Sequence, residues 1–235
     1  MKSLTRIFFA TVAFVAFATL TTKASRIEDR HLSGFNAISL SASYDVFITQ
    51  GTAESVRVEA SDEDLEHIVT EVSGGVLNIY EKHNHGLHWN WGSKKQVIYV
   101  VARDINSISI SGSGDVFFKS GINTASMKIK VSGSGDVAGR LNAKALEASI
   151  SGSGDVKLSG RADESNVRVS GSGDFEGRDL VTASTTIRVV GSGDATVNAS
   201  VKVDAAVSGS GDIRYTGGAK QVSVSKAGSG DIHRM

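Results

Sequence analysis

The chain has 235 residues with 25 basic and 25 acidic side chains, 26 Gly, and neither Pro nor Cys. Zero net charge without a block of like charge speaks against nucleic acid or an anionic membrane as partner. The missing Cys excludes disulfides, thiolate metal sites, a Cys nucleophile and a lipid-modified N-terminal Cys, while the missing Pro leaves every backbone amide able to donate to a β ladder.

Residues 1–24 read as a cleaved secretory signal. Lys2 and Arg6 form a positive start, Ile7 to Leu20 is an apolar run broken only by Thr, and Thr22-Lys23-Ala24 offers small residues where a signal peptidase reads. The run is short for a membrane span; a retained anchor is the lesser alternative. Removing Lys2, Arg6 and Lys23 leaves 22 basic against 25 acidic side chains, net −3. The mature protein is expected in the periplasm, on the outer surface or outside the cell. It should have no stable membrane span and, lacking Cys, should not be a lipoprotein.

Residues 25–33 read as a linker and 34–235 as a single domain. Within it, 34–105 forms a modified N-terminal part and 106–235 a regular one. In the first part, "SLSASYDVFI" (39–48) aligns with "SISGSGDVFF" (109–118), with Ala42 and Tyr44 in place of two glycines. Residues 35–60 are therefore expected to form the first coil or two of the same structure as the later repeats. Ser61 with Asp64 three residues on marks a helix start. "VSGGVLNIYEK" (72–82) predicts a hairpin through Gly74-Gly75, and 96–102 a strand. This part is expected to cap an open sheet end.

Between those strands, the loop 83–92 crowds His83, His85, His88, Trp89 and Trp91 into nine positions. Trp89 and Trp91 are candidate ligand-binding residues, because aromatic faces stack on sugars. The three histidines are weak candidates for Zn²⁺ or Cu²⁺. The bland alternative is a mobile loop whose Trp side chains pack on the body of the protein.

From residue 106 onward the sequence repeats. Gly-Ser-Gly-Asp occurs seven times, placing its aspartates at Asp115, Asp136, Asp155, Asp174, Asp194, Asp212 and Asp231, at intervals of 21, 19, 19, 20, 18 and 19 residues. Such a period belongs to solenoids. Seven and five residues before each Asp, and one after it, the side chains are apolar, with Lys226 the exception; polar residues alternate with them. One repeat cannot bury its own apolar face, so copies must stack. The expectation is an all-β parallel β-helix of about 19–20 residues per coil, with about 4.8 Å between coils.

A column of carboxylates about 5 Å apart repels by roughly 1 kcal/mol per pair in water. The favoured reading makes each motif a structural corner. Glycine supplies positive φ, and Asp accepts nearby amides in an Asx-turn. The alternative is a Ca²⁺ file, although one carboxylate per coil is thin coordination. The phase of the turn is open: strict alternation would send Ser and Asp outward and the glycines inward.

The chain as a whole resembles the auto-transporter adhesin family with a head GIN domain. The resemblance rests on "GFNAISLSASYDVFITQG", "VRVEASDEDLEHI", "GGVLNIYEK" and the Gly-Ser-Gly-Asp series. It implies a right-handed single-stranded parallel β-helix, a secreted or cell-envelope location and an adhesin role. It brings no catalytic residues and no cofactor.

The leading expectation is a non-enzymatic envelope protein binding a surface polysaccharide or an envelope protein. A metal-binding protein (Ca²⁺, or Zn²⁺/Cu²⁺) is the alternative. A polysaccharide-acting enzyme is the weaker one, because its acids recur identically along the repeat where catalysis needs an asymmetric cluster.

Overall fold

The structure, a computed structural model, describes residues 25–82 and 96–235. The expected signal at 1–24 and His83, His85, His88, Trp89 and Trp91 lie outside the described residues. The elements in chain order are β1 (Arg26–Asp29), β2 (Ala37–Ser41), β3 (Asp45–Gln50), β4 (Ser55–Ala60), α1 (Asp62–Leu65), β5 (Ile68–Ser73), β6 (Val76–Glu81) and β7 (Val97–Ala102). They continue with β8 (Ser107–Ile110), β9 (Val116–Phe118), β10 (Ile122–Val131), β11 (Val137–Gly152), β12 (Val156–Gly171) and β13 (Phe175–Gly191). The last are β14 (Ala195–Gly209), β15 (Ile213–Thr216), β16 (Gln221–Gly228) and β17 (Ile232–Arg234).

The regular part is a parallel β-solenoid. Each of β11 to β14 starts one residue after a motif Asp and ends at the first Gly of the next motif. Ser-Gly-Asp is thus the stretch where the strand is interrupted. Equivalent residues stack in register: Val131 on Ile150, Ile150 on Val169, Val169 on Val189. Coils of unequal length are reconciled by register shifts between Lys157 and Ser159, between Gly177 and Val181, and between Thr182 and Ser184. These shifts keep the corners aligned while the extra residues bulge elsewhere.

The apolar columns form the core. Ile108, Ile129, Ala148, Val167, Ile187 and Ala205 are buried, as are Val116, Val137, Val156, Phe175, Ala195 and Ile213. Large side chains are matched by small neighbours. A Cβ on Gly139 would run into the Phe118 ring, and one on Gly177 into the Phe175 ring. These two glycines make room for aromatic side chains. In the last coil the inward column loses burial: β16 is exposed throughout, with Val224 56% exposed. Lys226, at the inward position five before Asp231, ion-pairs with that carboxylate.

At the other end the order of coils departs from the order of sequence. β2 and β3 stack in parallel on β8 and β9, with Leu40 on Ile110 and Val46 on Val116, the spacing of 70 that the alignment of 39–48 with 109–118 predicts. On their other side they pair in parallel with β6 and β7. The strands beneath, β6 and β7, are therefore later in sequence, and residues 37–50 are wedged between them and 107–118. The expectation that 35–60 forms the first coils is corrected in this respect. Residues 55–60 (β4) do not continue the coil but run antiparallel to β7.

The cap follows from these antiparallel additions. β5 and β6 form a hairpin through Gly74 and Gly75, both with positive φ (58° and 78°), as a two-residue hairpin turn requires. β1 pairs antiparallel with β4, so the segment read as a linker contributes a strand. Ser61 Oγ accepts the Asp64 amide at 3.2 Å and starts α1. Antiparallel strands and a short helix cover the edge that a regular coil would leave unpaired.

Candidate functional site

The Gly-Ser-Gly-Asp corners lie over one another. Each Asp amide donates to Oδ1 of the Asp one coil earlier: Asp136 to Asp115 at 2.9 Å, Asp155 to Asp136 at 2.8 Å, Asp174 to Asp155 at 2.8 Å. Asp194 to Asp174 at 2.7 Å, Asp212 to Asp194 at 2.8 Å and Asp231 to Asp212 at 2.8 Å continue the series. The residue after each Asp donates the other way, to the Asp carbonyl one coil later, as Val137 does to Asp155 at 2.9 Å. The carboxylate takes the place of a main-chain acceptor where the strand is interrupted. This corrects the expected Asx-turn: the acceptor is used between coils, not within one. Such charge-assisted bonds are the stronger class and offset the repulsion along the column.

The glycines serve the same contact. The carbonyl of the first Gly accepts two amides from the next coil, as Gly133 does from Ser153 at 3.0 Å and Gly154 at 3.1 Å. A Cβ on either motif glycine would sit under 3.0 Å from a carbonyl oxygen of the coil beneath, closer than packing permits. Close approach is the common requirement. Positive φ adds to it at first glycines such as Gly171, at 131°. The alternating phase holds through the corner, with motif Ser exposed and the second Gly buried.

Ala42 and Tyr44 stand in the glycine positions of the 37–50 coil, and their carbonyls are what Gly112 and Gly114 approach. The corner stack of glycines begins there. Tyr44 is buried, and burial, then the Glu81 and Asp64 carboxylates, push its phenol well above the ordinary value.

Arg214 and Lys226 reach the later rungs of the column. Arg214 spans two rungs, with Nη1 3.1 Å from Asp194 Oδ2 and Nη2 3.2 Å from Asp212 Oδ2. Lys226 holds the Asp231 carboxyl below its usual range. At Asp155 the balance goes the other way. Partial burial raises its carboxyl pKa, Asp136, Asp174 and Glu176 add to the rise, and the Asp174 amide opposes them. Among the described residues no three His, Cys, Asp or Glu side chains are grouped to hold a metal ion.

Register turns the remaining outward positions into rows. Tyr99, Phe47 and Phe117 stack across three coils, with ring centroids 5.9 and 5.2 Å apart and Lys119 Nζ 4.1 Å from the centre of the Phe47 ring. The next position is Ala138. There a groove of about 630 Å³ opens, lined by Ala138, Gly139 and Leu158 with Arg140, Lys157 and Arg178. The alignment of 39–48 with 109–118 already pairs Phe47 with Phe117; Tyr99 joins them only through the β3–β7 pairing. On the face preceding the corner, a second row runs Lys130, Ser149, Arg168, Arg188, Ala206 and Ser225.

Stacked coils around a continuous core, hydrogen-bonded through one carboxylate per turn, define an all-β solenoid of about seven turns. The chain belongs to the family described as "Putative auto-transporter adhesin, head GIN domain", whose sequence profile matches residues 34–219. It is similar to a solved "putative adhesin" from Bacteroides fragilis at 28% identity and TM-score 0.84, covering 91% of this chain and 98% of that one. It is also similar to a "putative lipid binding protein" from Parabacteroides distasonis, at 25% identity and TM-score 0.73 over 91% and 98% of the two chains. A "putative adhesin" from the same species shares the fold at 22% identity and TM-score 0.71, again over 91% and 98%. No curated protein matches the chain. The family and these two adhesin neighbours are described as adhesins, and no helix among the described residues is long and apolar enough to cross a membrane.

Proposed function

We propose that the protein is exported and acts, without catalysis, by binding a polymer of a cell surface or envelope along its outward rows. The observation that carries this is the stacking of outward residues in register. It offers the same spacing, coil after coil, to a ligand that is itself a repeat. Catalysis on such a scaffold needs an acid and a base converging on one bond. Here the aspartates use Oδ1 to accept amides. Membership of the adhesin family supports the reading.

The N-terminal residues 1–24 act as the export signal in this proposal, leaving a mature protein in the periplasm or beyond it. Trp89 and Trp91, whose aromatic side chains can stack on sugar rings, are candidate contacts for that polymer in this proposal. The experiment is binding of the purified mature protein to bacterial cells and to a glycan array. Saturable binding is expected. The reading is abandoned if neither cells nor polymers are bound, or if the protein depolymerises a uronate polymer.

A further inference from the structure

Arg168 and Arg188 are register partners on adjacent strands β12 and β13. Both are exposed and point away from the core. Like charges directly opposite one another destabilise a sheet. Lys130 lies in the same row two coils earlier, with only Ser149 between, and the row Lys130, Ser149, Arg168, Arg188 contains no acid. The adjacent outward row offers Glu147, which is engaged by Lys128 at 3.0 Å, then Asn166 and Thr186, and one coil beyond Arg188 the half-buried Asp204. On the other side stand Ser132, Ser151 and Ser170, and then Val190, 51% exposed.

We infer that this face is a binding site for an acidic polysaccharide, with Arg168 and Arg188 gripping one oxyanion group and Lys130 another, two or more sugar units along the polymer. The proposal rests on the polymer-binding reading and names the ligand class. Two arginines on register-paired positions of neighbouring strands can bring both guanidinium forks to one group, a recognition suited to carboxylate, sulfate or phosphate oxygens. Bound anion would relieve the repulsion that the free protein carries. The hydroxyls of Ser151 and Ser170 on one side and the amide of Asn166 on the other can hydrogen-bond a sugar ring. Coil spacing of about 4.8 Å is close to the length of one pyranose unit, so a chain lying along the solenoid axis stays in phase. A membrane surface fits less well: around the cations the neighbours are polar or acidic (Ser, Thr, Asn, Glu147 and Asp204), with Val190 the one large apolar side chain beside them.

The test uses the mature protein with polygalacturonate, dextran sulfate and neutral dextran, by calorimetry or biolayer interferometry. Binding to at least one of the two acidic polymers is expected, weakening as salt rises, with dextran inert. The R168Q/R188Q variant should lose at least tenfold in affinity, R168K/R188K less, and a K220Q control nothing. The Gln variant should melt at or above the wild-type temperature, because the removed charges repel; a purely structural pair would lower it. Unchanged affinity in R168Q/R188Q overturns the inference, and so does Arg-dependent binding to anionic phosphatidylglycerol vesicles without polymer binding. If cells or neutral glycans are still bound while the Arg pair has no effect, this site fails and the broader proposal stands. If nothing binds, both fail.

Discussion

The amide of Asp174 donates to Oδ1 of Asp155 at 2.8 Å across one turn of the solenoid. That bond explains why a row of like charges persists. Asp155 has a duty, as an acceptor, that does not require its charge.

Charge and acceptor are separable by substitution. Asp155→Asn keeps an oxygen for the Asp174 amide and removes the repulsion from Asp136, Asp174 and Glu176. Asp155→Ala removes both and leaves the amide unserved, at about 1–3 kcal/mol. Chemical denaturation at pH 7 should rank Asn at or above wild type and Ala below it. The pH dependence has a definite sign. The folded protein raises the Asp155 pKa, so it binds that proton more readily than the unfolded chain. This residue's contribution is most favourable at low pH and is lost as pH rises through the folded value. The advantage of Asn over wild type should therefore shrink below about pH 4.

Gly154 tests the close approach. Its φ is not positive, yet a Cβ there would collide with the Gly135 carbonyl. Gly154→Ala is expected to cost about 3 kcal/mol or more, since the obstacle is backbone and cannot swing aside. Ser153→Ala, one residue away and exposed, should stay within about 0.5 kcal/mol. Thermal melts of the two variants suffice; equal melting temperatures would refute the steric account.

A buried hydroxyl chain offers a double-mutant cycle. Ser165 Oγ and Thr185 Oγ1 are 2.7 Å apart, Thr185 and Thr182 also 2.7 Å, and Thr182 donates to the Asn198 carbonyl at 2.9 Å. Thr185→Val strands the Ser165 hydroxyl and should cost about 1–3 kcal/mol. Adding Ser165→Ala removes the stranded group and should recover part of that loss. Strictly additive losses in denaturant melts would show that the hydroxyls are not coupled.

Arg214 bridges Asp194 and Asp212 at about one-third exposure. Solvent screening limits its worth, so Arg214→Ala should cost no more than about 1 kcal/mol. The difference from wild type should diminish in molar salt. A salt-independent loss would point to packing of the Arg stem instead of charge.

Much of this was legible in one dimension. The interval of 18 to 21 residues between aspartates marks the coil. The apolar columns point inward because strand side chains alternate with period two. Even the match of Leu40 with Ile110 and Val46 with Val116 is realised as strand register. Two features were not legible. The alignment of 39–48 with 109–118 says that these segments are equivalent, but not that β6 and β7 lie beneath the first of them. The Asp of each motif reads as a local turn, and the contact to the next coil that it makes instead appears only once the coils are stacked.

Sequence alone determined the repeat, the buried face and the glycine corners, because these follow from local periodicity and from which side chains can be buried. The tertiary structure decided which coil lies next to which at the capped end, where each Asp finds its hydrogen bond, and which outward residues become neighbours in a row. Those outcomes depend on pairing between strands up to 70 residues apart. Parallel partners that are copies of one repeat can be matched in the sequence; the pairing of β2 and β3 with β6 and β7 joins unlike segments and carries no such signature.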